Sequence, residues 1–208
     1  MKKLILIAAA LFAITTVSAQ DIIFGAKAGV NLANVDAGEV DTDVVSSFHI
    51  GITAEFEISD TFSIQPELVY SLQGTSIITE ARPLKLEVLY KTNFINLPIM
   101  AKYYVSEGIS LEAGPQIGFL INAEVETDIT NSTDSSENIS ITIDSKDNYK
   151  SIDFGFNVGV GYKLESGLNF TLRYNLGLSN LSDTGNENVT NDSEWKNRVL
   201  QLSVGYTF

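Results

Sequence analysis

Apolar and polar residues alternate strictly along much of this chain. From Leu168 to Ser179 every even position is apolar: Leu168, Phe170, Leu172, Tyr174, Leu176 and Leu178. The odd positions are Asn169, Thr171, Arg173, Asn175, Gly177 and Ser179. A period of two marks a β-strand with one apolar face. The run 152–164 repeats it, with Asp153, Gly155, Asn157, Gly159, Gly161 and Lys163 on the polar side. The last run sets Leu200, Leu202, Val204, Tyr206 and Phe208 against Gln201, Ser203, Gly205 and Thr207. Eight such segments are predicted, at 24–32, 48–58, 62–72, 95–105, 109–121, 152–164, 168–178 and 199–208. Their apolar faces consist of Ala, Val, Ile, Leu, Phe, Tyr and Pro. Apolar exceptions on the other face include Val69, Met100, Tyr104, Leu120 and Val199.

The connections alternate in length. Short ones are Ser59-Asp60-Thr61, Ser106-Glu107-Gly108 and Glu165-Ser166-Gly167. Long polar ones are predicted at 33–47, 73–94, 122–151 and 179–198. Tight turns at one end and long loops at the other describe an all-β, eight-stranded up-and-down antiparallel transmembrane barrel. Its short turns are periplasmic and its long loops extracellular.

The polar face decides between membrane and water. It carries Lys27, Glu55, Glu57, Glu67, Lys102, Glu112, Asp153, Lys163 and Arg173, and most of the 15 glycines. A soluble ligand-binding barrel turns its apolar residues inward. Here the apolar face is too extensive to stay in water, so it faces lipid and the charges face a narrow lumen. Aromatics near the strand ends agree with interfacial girdles: Phe24, Phe56, Phe62, Tyr103, Tyr162, Phe170, Tyr206 and Phe208 at the short-turn end, Phe48 and Tyr70 toward the other rim. Trp195 is expected to anchor the outer interface. Ile139, Ile141 and Ile143 alternate as well, so the fifth and sixth strands are expected to extend as a hairpin above the membrane.

Composition narrows the function classes. Residues 1–19 hold Met1-Lys2-Lys3, an apolar run Leu4–Ile14 and a small-residue ending at Ala19, which reads as a secretory signal peptide. Residues 20–208 are then the barrel domain. A net charge of −13 argues against nucleic-acid binding. The absence of Cys removes disulfides, thiolate metal sites and Cys nucleophiles.

Several segments resemble the PorT-like small outer-membrane barrel family, also called the outer membrane protein beta-barrel domain. They are Gly25-Ala26-Lys27-Ala28-Gly29-Val30-Asn31, Asn96-Leu97-Pro98-Ile99-Met100-Ala101-Lys102-Tyr103-Tyr104, Ala113-Gly114-Pro115-Gln116-Ile117-Gly118 and Arg173-Tyr174-Asn175-Leu176-Gly177-Leu178. The resemblance spans the mature chain. It implies an outer-membrane barrel, reached through the secretory pathway, and an accessory role of the kind the family's namesake plays in protein secretion. The alternating C-terminal end at Phe208 resembles the signal by which insertion machinery recognises outer-membrane barrels.

Four features carry candidate chemistry. The lumen charges are nearly balanced, so a salt-bridged plug is expected, with a gated ion path as the alternative. Pro66, Pro98 and Pro115 fall on consecutive strands, where each removes a ladder donor. They are expected either as bulges or as a weakened wall that lets a small apolar ligand leave sideways. His49, the only imidazole, lies near Ser46 and Ser47 and shares a face with Glu55 and Glu57. That is a thin basis for acyl transfer, and no catalytic residue is assigned. The loops 33–47, with Asp36, Glu39, Asp41 and Asp43, and 124–150, with seven acids against Lys146 and Lys150, are expected as solvated surface rather than ordered cation sites. No cofactor and no metal are expected. The leading function is a non-enzymatic structural or accessory membrane protein with an envelope partner. A narrow transporter of small hydrophobic molecules and a surface adhesin acting through the acidic loops are the alternatives.

Overall fold

The computed structural model describes residues 22–38, 42–81, 84–131, 138–182 and 195–208. The signal-peptide reading therefore lies outside the described residues. Nine strands follow in order: β1 Ile22–Asp36, β2 Asp43–Ser59, β3 Phe62–Ala81, β4 Leu84–Ser106, β5 Ile109–Asn131, β6 Ile139–Asp144, β7 Ile152–Lys163, β8 Leu168–Gly177 and β9 Lys196–Thr207. A 3-10 turn, Lys146–Asn148, lies between β6 and β7.

Each strand is antiparallel to its neighbours. The order β4-β3-β2-β1-β9-β8-β7-β5 closes on itself through an additional β4–β5 pairing. The result is an eight-stranded ring with β6 attached to the upper half of β5. Closure is what a membrane requires, since it removes the open edges that lipid cannot satisfy. The tight turns sit where chain geometry demands glycine. Gly108 and Gly167 have φ of 79° and 88°, a region other residues seldom adopt.

The inside-out pattern is plain in adjacent residues. Leu172 is 43% exposed and Arg173 beside it 3%. Phe24, Ile52, Ile99, Leu111, Phe154 and Leu202 all lie on the outer surface, while Lys27, Glu67, Lys102 and Glu112 are buried. The sequence exceptions Val69, Met100, Leu120 and Val199 are buried in the lumen, where their bulk fills space between polar side chains.

The region 73–94 departs from expectation. It is not a loop. β3 and β4 pair without a break from Gly74↔Lys91 to Ala81↔Leu84, and β4 stays paired to β5 up to Leu84↔Asn131. A transmembrane strand needs about 9–11 residues, and β4 and β5 each have 23. The upper halves of β3, β4 and β5, with β6, form a sheet that extends well beyond the length a membrane crossing needs. The β6 pairing, from Glu124↔Asp144 to Ile129↔Ile139, is the hairpin that the alternating isoleucines predict.

Candidate functional site

Two regions carry chemistry, the lumen and the projecting sheet. In the lumen six charged side chains from six strands meet. Arg173 on β8 grips Glu67 on β3 with both terminal nitrogens, each at 2.9 Å. Its Nη2 also donates to Glu112 on β5 at 3.0 Å. Lys27 on β1 pairs with the same Glu67. Lys102 on β4 lies 3.2 Å from Glu55 on β2 and 3.9 Å from Glu112. Three acids and three bases thus form one neutral cluster. Gln65 and Ser63 complete it: Gln65 donates to Glu67 at 2.7 Å and accepts from Lys102 at 3.1 Å, and Ser63 donates to Glu55 at 2.6 Å. Tyr104 also donates to Glu55. Period-two strands make this possible, because every second residue enters the lumen. Buried charges require partners and extra hydrogen bonds of this kind.

Not every charge expected in the lumen joins. Glu57 is exposed and Lys163 half-buried, both at the short-turn rim. Asp153 is buried away from the cluster, accepting hydrogen bonds from Asn197 at 3.0 Å and from Ser179. Rim residues reach water directly, so nothing forces them to pair.

His49 is buried, and its partners are not the nearby serines. Nδ1 lies 2.7 Å from Asn31 Oδ1, and Nε2 lies 2.8 Å from Ser203 Oγ. Asn31 is itself tied to Gln201, Ser71 and the Leu72 carbonyl. Ser47 donates instead to the Leu72 carbonyl at 2.6 Å. Asn31 and Ser203 were hidden in the sequence because they lie far from His49 along the chain. Ring pairing brings β1, β2 and β9 side by side.

The prolines are not bulges. Pro66 faces Ile99, Pro98 faces Gln116 and Pro115 faces Phe156, all in unbroken register. The register shifts lie elsewhere, at Val44/His49, Glu57/Ser59, Asn93/Phe94 and Tyr104/Ser106. Pairing nevertheless thins at the prolines. The β3–β4 ladder passes from Pro66↔Ile99 to Val69↔Asn96, and β4–β5 from Pro98↔Gln116 to Ala101↔Ala113. Pro98 points into the lumen, where it is fully buried. Pro66 and Pro115 lie on the lipid side. The missing amide donors explain the thinning, and unchanged register shows that no residue was inserted.

An apolar cluster packs at the outer end of the lumen. Phe94, Leu120, Ala123 and Leu181 form a buried cluster, flanked by Tyr149 and Trp195. Trp195 meets Tyr90 edge to face at 5.3 Å. It therefore caps the mouth instead of anchoring the lipid interface. Burial pushes the Tyr149 phenol up to about 12, with Tyr90 adding to the shift.

Above this cap the polarity of the strands inverts. One face of the projecting sheet carries the cross-strand rows Thr79–Leu86–Ile129–Ile139, Ile77–Val88–Thr127–Ile141 and Thr75–Tyr90–Val125–Ile143. It continues the lumen side, since Tyr90 touches the cap. The other face carries Ile78–Glu87–Asp128–Ser140, Ser76–Leu89–Glu126–Thr142 and Gly74–Lys91–Glu124–Asp144. That face continues the lipid side, yet it is charged, with Lys91 paired to Glu126 and Lys85 to Glu87. On β5 the reversal is made by one extra residue, Ile121, between Phe94↔Leu120 and Asn93↔Asn122. A slip of one residue turns every later side chain to the other face. Glu124, Glu126 and Asp128 are thus strand residues, not loop residues. Asp36 at the end of β1 pairs with Arg198 at 3.1 Å. Glu39 and Asp41 lie outside the described residues.

Several solved structures are similar to this chain. The Ail protein of Yersinia pestis, its attachment invasion locus protein, is 12% identical, with 89% of this chain and 98% of that one covered and a TM-score of 0.49. Neisserial surface protein A is 11% identical, covering 92% and 100%, with a TM-score of 0.44. CarO of Acinetobacter baumannii is 9% identical, covering 88% and 97%, with a TM-score of 0.45. No curated protein matches the sequence. Residues 18–183 match the family described as outer membrane protein beta-barrel domain. The chain belongs to that family and is a bacterial outer-membrane β-barrel protein.

Proposed function

We propose that this protein is a closed, non-enzymatic anchor that holds a rigid strand platform at the cell surface for an envelope partner. The polarity reversal where β3, β4 and β5 leave the barrel carries the reading. A loop that only joins two strands has no need of long, continuously paired extensions. The neutral ion cluster and the apolar cap support an anchor over a pore, because they fill the lumen from both ends. The finer reading, a PorT-like part in protein secretion, comes from the sequence resemblance and would make the partner a secretion component. Phe208, whose amide donates to the Phe24 carbonyl at 2.9 Å, is read as the mark for the insertion machinery.

Lateral transport of a small hydrophobic molecule is supported less well. Behind the proline-bearing wall stand Glu67, Glu112 and Arg173, and an apolar ligand would enter among ion pairs. Photo-crosslinkers placed singly at Leu86 and Glu87 on the platform, and at Leu172 on the lipid face, test the proposal on intact cells. One protein captured at the platform positions and none at Leu172 is the expected result. No protein at any platform position would refute it, and capture of a host or matrix protein would favour the adhesin. In planar bilayers the purified barrel should show no conductance steps.

A further inference from the structure

Among the described residues the projecting sheet has two open edges, the end of β3 beyond Ser76 and the whole of β6. β6 ends the sheet order, pairs among the described residues only with β5, and all six of its residues are exposed. One row of its N–H and C=O groups therefore points away from the sheet. Such edges template the addition of another strand, and proteins usually blunt them with proline, lysine or a bulge. The β6 sequence Ile139-Ser140-Ile141-Thr142-Ile143-Asp144 has neither proline nor lysine, and its pairing with β5 runs without a register shift. Its β-branched residues favour the extended form.

The two faces beside that edge say what would fit. The apolar side presents Ile139, Ile141 and Ile143, exposed by 52, 49 and 60%. The opposite side presents Ser140, Thr142 and Asp144 on β6 itself, with Glu124, Asp128 and the Lys91-paired Glu126 one strand inward on β5. An added strand would set alternate residues against each face. Its matching side chains are apolar toward the isoleucines and, on the other face, long and basic, to meet Asp144 directly and reach the carboxylates of β5 across it. The two longest internal segments outside the described residues lack those bases. Segment 132–137 holds Asp134 and Glu137, and segment 183–194 holds Asp183, Glu187, Asp192 and Glu194, with no Lys or Arg in either. A second copy of β6 would bring no base to that face, only a second Asp144.

We propose that β6 docks an extended segment of another protein by strand addition, and that this segment alternates apolar and basic residues. The inference rests on the platform reading above and names its binding edge and partner chemistry. Six residues span about 20 Å of edge, so a short segment suffices.

The test uses the full-length barrel in phosphatidylcholine nanodiscs and three fluorescent nine-residue peptides. One alternates Lys and Val, one has the same composition in blocks, and one alternates Glu and Val. The Lys–Val alternating peptide should bind at least about tenfold more tightly than either control, and it should slow amide exchange within 139–144. The double variant Glu126→Lys with Asp128→Lys should invert the preference toward the Glu–Val peptide. Variant folding is checked by circular dichroism. Equal binding of the block peptide would reduce the effect to bulk charge and overturn the proposal, as would no binding or protection confined to other strands. A cellular partner that crosslinks at Leu86 or Glu87, combined with no strand addition at β6, would sink this inference and leave the platform standing.

Discussion

The barrel and the projecting sheet are made from the same strands, yet they obey opposite rules. In the barrel, Leu172 faces out and Arg173 faces in. In the sheet, the face continuous with the outside of the barrel carries Glu87, Lys91, Glu126 and Asp128, and the face continuous with the lumen carries Leu86, Val88, Val125 and Ile141. The physical difference is the solvent. Lipid rewards an apolar exterior, and water rewards a charged one. A period of two fixes which residues share a face and leaves open which face is wet. The medium makes that choice, and it changes within a single strand.

The largest expected effect is in the ion cluster. Glu67→Ala leaves Arg173 and Lys27 without their shared carboxylate. Removing one member of a buried ion pair costs about 3–5 kcal/mol, so folding in micelles followed by denaturant titration should fall by that order. A loss below about 1 kcal/mol would mean that water enters the lumen freely. Next comes the lipid face. Leu172→Arg should cost about 2–4 kcal/mol if it lies near the midplane, and Thr171→Arg, on the lumen side, should be milder. Equal costs would erase the distinction between the faces.

Gly29→Ala tests how closely the wall is packed. Its new Cβ would sit 1.9 Å from the Leu202 carbonyl oxygen and 2.8 Å from His49 Cε1. Overpacking of this kind costs about 1–3 kcal/mol, and loss of amide protection around His49 would locate it. The smallest effect belongs to the sheet. Ile141→Arg replaces an exposed side chain in water and should change stability by no more than about 0.5 kcal/mol. A penalty as large as that of Leu172→Arg would place β6 in the membrane and contradict the comparison.

The barrel was largely legible in the sequence, and the reason is physical. Lipid tolerates no exception on its face, so Leu168 to Leu178 or Leu200 to Phe208 announce themselves. Residues 73–94 did not, because the apolar phase changes there. On β3 it moves from Leu72 to Ile77, and on β4 from Ile95 to Tyr90 and Val88. A search for one constant phase sees a break and infers a loop. A shift of phase at constant period was the missing signal. Which charges pair was not legible either. Arg173 and Glu67 lie 106 residues apart, and only ring closure brings them together. Alternation placed Glu57 and Lys163 on the same face as Glu55 and Lys102. Depth in the lumen separates them, and depth depends on strand ends.

The measurement that reaches the central claim most directly uses the absence of cysteine in the chain. Single cysteines at positions 172, 86 and 87 can each carry one spin label. In bilayers, the label at 172 should respond strongly to oxygen, which concentrates in lipid, and weakly to a water-soluble nickel chelate. The labels at 86 and 87 should both respond to the chelate. High oxygen response and weak chelate response at 87, matching those at 172, would show that the strands keep one polarity throughout and that no platform stands above the membrane.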